Sequence, residues 1–134
     1  MHLQFGQYPA PSHVIAHLSD PHLLAHGVRQ YGVIDTEAGL RRALERLAHV
    51  VPAPQALVFT GDLADKAEPA AYLRLREIVE PAAEAMGATV VWTMGNHDER
   101  AEYAAGLFGV ASDEPQDRVH DVACLLYTSD AADE

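Results

Sequence analysis

Cysteine is nearly absent. The 134 residues hold one, Cys124, which rules out an internal disulfide or a zinc site built on cysteines. Basic residues are scarce too, with 9 Lys and Arg against 20 Asp and Glu and a net charge of -11. No basic stripe is present to follow a phosphate backbone, so no nucleic-acid partner is expected. The same acidity repels an anionic small molecule unless cations offset it locally. No apolar run approaches the roughly 20 residues of a membrane span, so no integral membrane segment is expected. Met1 to Ser12 has neither a basic leader nor an apolar core, so no signal peptide is expected and the expected location is the cytoplasm. There is no internal repeat, and the length suits one domain able to bury a core.

What is present is a rhythm of short apolar runs separated by helical patterns. Val14-Ile15-Ala16-His17-Leu18 reads as a first strand and breaks at Ser19-Asp20-Pro21-His22. After a loop marked by Gly27 and Gly32, Asp35 has the position of an N-cap. Leu40, Leu44, Leu47 and Val51 then follow at helical spacing until Pro52 and Pro54. Ala56-Leu57-Val58-Phe59-Thr60 is a second strand, ending at Gly61-Asp62. Pro69 suits the first turn of a second helix, Pro81 should kink or restart it, and Gly87 suits its left-handed C-terminal cap. The third run, Ala88 to Met94, leads into Gly95-Asn96-His97-Asp98 and a helical segment, and the pattern loosens over Ala111 to Gln116. Continuous apolar strands alternating with helices predict an α/β fold with parallel strands and right-handed crossovers. Ligands of such sheets bind at the carboxyl ends of the strands, and all three polar clusters lie there.

Each cluster carries metal-ligand chemistry, and each has a plainer reading. Asp20 and His22, two residues apart on an extended loop, can both reach one divalent ion, although a proline turn capped by Asp20 is the commoner meaning of such a triplet. Gly61 permits a sharp turn after which Asp62 can bridge two cations with its two oxygens. Asp65 reads as support behind a ligand or as a helix-start cap. Asn96 offers a neutral carbonyl oxygen to a hard or borderline ion. His97 could act on a leaving group, with Asp98 orienting its ring, or the loop could simply cap the next helix. Three such coincidences at three successive strand ends favour one metal site. His26 could contact substrate. His17 reads as a core or supporting residue, while His2, His13, His49 and His120 read as surface. Phe59 and Trp92 read as core.

The three motifs together resemble the calcineurin-like metallophosphoesterases, whose signature runs Asp-x-His, Gly-Asp and Gly-Asn-His-Asp/Glu; the resemblance covers residues 14–110. The chain has Asp65 where purple acid phosphatases carry a tyrosine, and Asp65-Lys66-Ala67 where protein serine/threonine phosphatases continue with Asp-Arg-Gly. Tyr31 to Asp35, Val58 to Lys66 with Glu68 to Tyr72, and Gly95 to Asp98 with Arg100 look like the bacterial class III 3′,5′-cyclic-nucleotide phosphodiesterases, particularly the actinobacterial type. The resemblance implies a four-layer αββα sandwich of which this chain carries the N-terminal half. It implies two metal ions, iron or manganese with zinc as the alternative, held by Asp20, His22, Asp62 and Asn96. Asn96 and His97 would also meet the substrate, and His97 would stabilise or protonate the departing ribose oxygen. A metal-bridging hydroxide would convert cyclic AMP to AMP, with a broader phosphodiesterase or phosphomonoesterase of the same fold as the alternative. A homodimer is left open for the full-length form.

The chain also departs from that family. No Gly-His-x-His follows Arg100, where only His120 remains, and the elements suffice for a first sheet alone. Cys124 to Asp133 matches, codon by codon, the in-frame translation of a transposase-based sequencing adapter. The expectation is a partial domain over residues 1–123 and a non-native segment over 124–134. Removing Asp130, Asp133 and Glu134 from the 20 acidic residues leaves 17 against 9 basic ones, a net charge of -8. The 134-residue polypeptide is accordingly expected to bind metal weakly, to turn over little or no substrate and to expose an apolar sheet face. Re-reading the source DNA across codon 124 should show adapter sequence; a genomic continuation encoding Cys124 to Glu134 would overturn the boundary.

Overall fold

A computed structural model of the chain describes residues 9–122 and, as backbone, residues 125–129. Its centre is a three-stranded parallel sheet, β1 (Ile15–Ser19), β2 (Ala56–Thr60) and β3 (Thr89–Thr93), in the order β1-β2-β3. The crossovers are α1 (Thr36–Leu47) and α2 (Pro69–Met86). After β3 come a short helix α3 (Arg100–Tyr103) and a π-helical turn over Ala104–Phe108. Then follows an antiparallel pair, β4 (Arg118–Val122) and β5 (Leu125–Ser129), of which β5 lies against β3. The expected α/β class with parallel strands and crossover helices is what the chain adopts. Met1 to Tyr8, including His2, lie outside the described residues, as do Ala123, Cys124 and residues 130–134 of the segment expected to be non-native.

Local chemistry sets the boundaries. The Asp35 carboxylate accepts the Ala38 N–H at 2.9 Å, satisfying one of the free donors at the start of α1. Pro69 opens α2, and Gly87 closes it at φ 72°, a conformation that costs glycine no clash. Two expectations need correction. α1 ends at Leu47, with Ala48 as its cap, so Val51 lies beyond the helix and is 82% exposed. α2 runs through Pro81 as one helix, whose inner side is held by buried Leu75, Ile78, Val79 and Ala83. That packing outweighs the hydrogen bond which Pro81 cannot donate.

The register places Ala16, Leu57 and Phe59 on one face of the sheet with Val90 and Trp92. All three helical segments pack on this face, and Leu40, Leu44, Tyr72, Leu75 and Tyr103 complete its core. Phe59 and Trp92 are buried there with ring centroids 4.8 Å apart. Across the helical layer, Arg74 of α2 donates to Glu37 of α1 at 2.7 Å, which holds the Glu37 carboxyl below its ordinary pKa. The opposite face is half covered. Ala56, Val58 and Val91 are buried with Val122 of β4, whereas Ile15 and His17 of β1 stay exposed. His17 thus belongs to the outer face and bonds Thr60 Oγ1. The core fixes the one consequence that matters for function: three strands point their carboxyl ends at the same edge.

Candidate metal centre

Beyond the strands, the backbone of the first two loops stays paired. Asp20 N–H donates to Gly61 O at 3.3 Å, His22 N–H to Asp62 O at 3.0 Å, Leu23 N–H to Leu63 O at 2.9 Å, and Asp65 N–H back to Leu23 O at 2.9 Å. Gly61 N–H in turn reaches Thr93 O at 2.9 Å. The Asp-x-His and Gly-Asp motifs are therefore zipped together rather than merely adjacent. The zipping has a conformational cost. Asp20 (φ 53°), His22 (φ 42°) and Asp62 (φ 46°) all adopt the left-handed region that side-chain-bearing residues seldom occupy. Strain of this kind persists only where surrounding structure enforces it, and it concentrates at functional sites.

The third loop is brought in by Asp98. Its side chain is the buried charged group of the described residues, 7% exposed, and it gathers four donors. One carboxylate oxygen accepts Leu63 N–H at 3.0 Å and Gly95 N–H at 2.8 Å; the other accepts Ala64 N–H at 3.0 Å and the Tyr72 hydroxyl at 2.7 Å. Burial first, and then the bond to Asp98, push the Tyr72 hydroxyl pKa up, so it serves as a donor throughout the physiological range. Gly95 makes the approach sterically feasible: a β-carbon there would collide with the Asp62 amide and carboxylate and lie 2.8 Å from Gly61 Cα. Asp98 was expected to orient the His97 ring, but its oxygens are engaged with these donors. The ring is instead held through Nδ1, 2.8 Å from Asp65 O.

The result is a cluster in which ligand atoms of His22, Asp62 and His97 lie within 4.8 Å of one another. Asp20 joins it, its Oδ1 3.9 Å from His22 Nε2, with Ser19 Oγ donating to its other oxygen. Asp62 Oδ1 accepts the His97 N–H at 3.0 Å while Oδ2 lies 3.5 Å from His22 Nε2. Asn96 sits beside His97 at the exposed tip of the loop. Asp65 does not cap α2, whose cap is Glu68; its Oδ1 lies 3.0 Å from His22 Nδ1. A carboxylate only accepts, so the proton of a neutral His22 sits on Nδ1. Its Nε2 lone pair then faces Asp62 Oδ2 and Asp20 Oδ1. Lone pair and carboxylate oxygens converging in this way repel one another unless a proton or a metal cation lies between them, and the donor set fits a hard or borderline divalent ion. His26 is not part of the cluster. It is exposed, 3.8 Å from Glu37, and lines a cleft of about 310 Å³ with Arg29 and Arg41.

Two further supports of this site do not stand out in the sequence as site residues. Tyr72 looks like one more core position on α2, and Gln30, whose amide donates to Asp65 Oδ1 at 2.8 Å, lies in an unremarkable loop. For His97, the bond to Asp65 O, then the Asp62, Asp65 and Asp98 charges, hold the imidazolium above its ordinary pKa of 6.5.

Residues 13–129 match the family model described as calcineurin-like phosphoesterase, a match that runs past the boundary expected at residue 123. Among similar proteins is a cAMP/cGMP dual specificity phosphodiesterase of Mycobacterium tuberculosis. It is 50% identical over 118 residues, 87% of this chain and 37% of that protein. A probable cyclic nucleotide phosphodiesterase of Rhodococcus erythropolis is 43% identical over 91% of this chain and 40% of its own length. A 3′,5′-cyclic adenosine monophosphate phosphodiesterase of Pseudomonas aeruginosa is 37% identical over 65% and 30%, respectively. The chain thus spans well under half the length of these curated relatives.

Two measurements probe the centre. Asp98→Ala strands four donors in the interior and should cost at least about 3 kcal/mol in urea unfolding, with Asp98→Asn costing less. In the metal-free chain, the His97 ring should titrate above 6.5 by NMR, and Asp62→Asn should lower that value. The raised pKa adds stability in full below pH 6.5, and that contribution fades as pH rises through the folded-state value.

Proposed function

The chain belongs to the calcineurin-like phosphoesterase family, and on that premise we propose that its protein hydrolyses 3′,5′-cyclic nucleotides, converting cyclic AMP to AMP. The observation that carries the reading is the convergence of His22, Asp62 and His97, with Asp20, at the carboxyl edge of a parallel sheet. The cyclic-nucleotide substrate rests on the names of the similar proteins from Mycobacterium tuberculosis and Pseudomonas aeruginosa.

Asp20, His22, Asp62 and Asn96 would hold the metal ions, with iron and manganese the proposed pair. Bound there, they would supply positive charge to the phosphoryl oxygens and a water acidic enough to react near neutral pH. The chain's own groups would do the rest. Asp62 lies at the junction of all three loops and ties the orientation of its carboxylate to the His97 backbone. His97 is exposed, fixed through Nδ1 and surrounded by carboxylates that favour its protonated form. It would give its proton to the departing ribose oxygen as a water oxygen adds to phosphorus from the opposite side and releases its own proton to solvent. Asp98 would act from behind, by holding the Gly95 loop against Leu63 and Ala64. Metal ions held there would also answer a difficulty raised by composition, since a chain of net charge -11 otherwise repels a phosphodiester.

A second reading, a phosphodiesterase of broader range, is favoured by one similarity. A glycerophosphodiester phosphodiesterase of Enterobacter lignolyticus is 29% identical over 106 residues. The complete reading frame, purified with manganese, should release AMP from cyclic AMP and favour it over glycerophosphodiesters. Asp62→Ala should lower kcat/KM by about a hundredfold or more, the scale on which electrostatic stabilisation of a transition state is lost. The 134-residue chain assayed alongside should show little turnover. Faster cleavage of glycerophosphodiesters by the complete frame would transfer the assignment to the second reading.

A further inference from the structure

The loop after β1 closes on itself in a tight turn. Gln30 N–H donates to Ile34 O at 2.9 Å, Ile34 N–H returns to Gln30 O at 3.0 Å, and Gly32 N–H reaches Arg29 O at 3.1 Å. Tyr31 (φ 52°) and Gly32 (φ 75°) make the reversal, leaving Tyr31 84% and Val33 70% exposed. Among the described residues, the turn shares no backbone hydrogen bond with the sheet edge. What links it there is the half-buried Gln30 side chain, whose Nε2 lies 2.8 Å from the same Asp65 oxygen that meets His22 Nδ1 at 3.0 Å. The amide orientation follows from chemistry, because ionised Asp65 accepts hydrogen bonds and donates none. Asp65 is itself only partly buried, with 14% of its side chain exposed, so one hydrogen bond from His22 leaves its carboxylate free to rotate or to take water instead. A second donor, carried by a turn closed by its own hydrogen bonds, restricts that freedom.

We propose that Gln30 is a positioning residue for the metal centre: it locks the Asp65 carboxylate, which fixes His22 with its proton on Nδ1 and its Nε2 lone pair toward Asp20 and Asp62. The inference rests on the metal-phosphodiesterase reading of the cluster but concerns a residue outside the three motifs. Gln30 touches no reacting atom, and its effect passes entirely through Asp65. The exposed turn thereby becomes a mechanical handle on the site, since anything that shifts Arg29 to Ile34 shifts Gln30 with it.

The test combines a metal-free and a metal-dependent readout on the 134-residue chain. Gln30→Met keeps the length of the side chain and removes the donor, so packing is preserved while the hydrogen bond is lost. Long-range ¹H–¹⁵N NMR above the titration range of histidine should find neutral His22 protonated on Nδ1 in the parent chain and as a tautomer mixture in Gln30→Met. Manganese affinity should fall about tenfold, at the lower end of the 10–100-fold range for partners that orient a ligand from outside. In an Asp65→Asn background, Gln30→Met should change neither readout further. An unchanged tautomer in Gln30→Met, with Asp65→Asn altering it, overturns the role of Gln30 and leaves the metal-centre reading standing. If instead Asp62→Asn leaves manganese binding intact, it is the metal-centre reading that fails. The tautomer measurement needs no metal, so it decides the role of Gln30 even if manganese binds too weakly to quantify.

Discussion

The Asp98 carboxylate is the constraint on which the functional edge depends. Taking an ionised group out of water is tolerable only where fixed dipoles replace its hydration, and here two loops and a helix supply them. Leu63 and Ala64 come from the loop after β2, Gly95 from the loop after β3, and Tyr72 from α2. Because the carboxylate must be satisfied by all of them at once, the Gly-Asn-His-Asp loop cannot drift from the Gly-Asp loop without stranding a buried charge. Gly95 completes the arrangement by letting its backbone rest on Asp62 where any side chain would collide.

From that junction the rest of the centre follows in sequence. The parallel pairing of β1 and β2 extends past Ser19 and Thr60 through the loops, carrying Asp20 and His22 into register with Asp62. The extension is possible only because Asp20, His22 and Asp62 accept left-handed backbone conformations. Asp65, one turn further on, then approaches His22 from behind. Strain, pairing and support converge on the same few side chains, and the outcome is several carboxylate oxygens and two imidazoles around one point. Such an assembly makes electrostatic sense with a cation inside it.

Much of this was legible in the residues themselves. Apolar runs of strand length alternating with amphipathic segments implied a parallel sheet, and the sheet supplied the rule that its carboxyl ends carry the ligands. Asp35 as cap, Pro69 as first turn and Gly87 as left-handed stop were readable because each acts within a few residues of itself. Expectations that depended on longer reach were less secure. The helical spacing of Val51 suggested burial, yet the chain turns at Ala48 before that residue can reach the core. Pro81 suggested a kink or a restart, yet the packed face of α2 carries one helix through it. Asp98 looked like the partner of its neighbour His97 because adjacency is what a sequence displays, while its real partners lie 26 to 35 positions away or on the backbone of its own loop.

The sequence by itself determined the order of elements, the apolar faces and the candidate ligand residues at the strand ends, because periodicity, capping and motif chemistry are local properties. Only the tertiary structure decided how those residues are held. That Asp98 locks loops, that Asp65 rather than Asp98 attends the histidines, and that Tyr72 and Gln30 take part at all are consequences of hydrogen bonds between distant segments. Such bonds form because a buried or half-buried carboxylate takes the donors that folding brings within reach, whatever their separation along the chain.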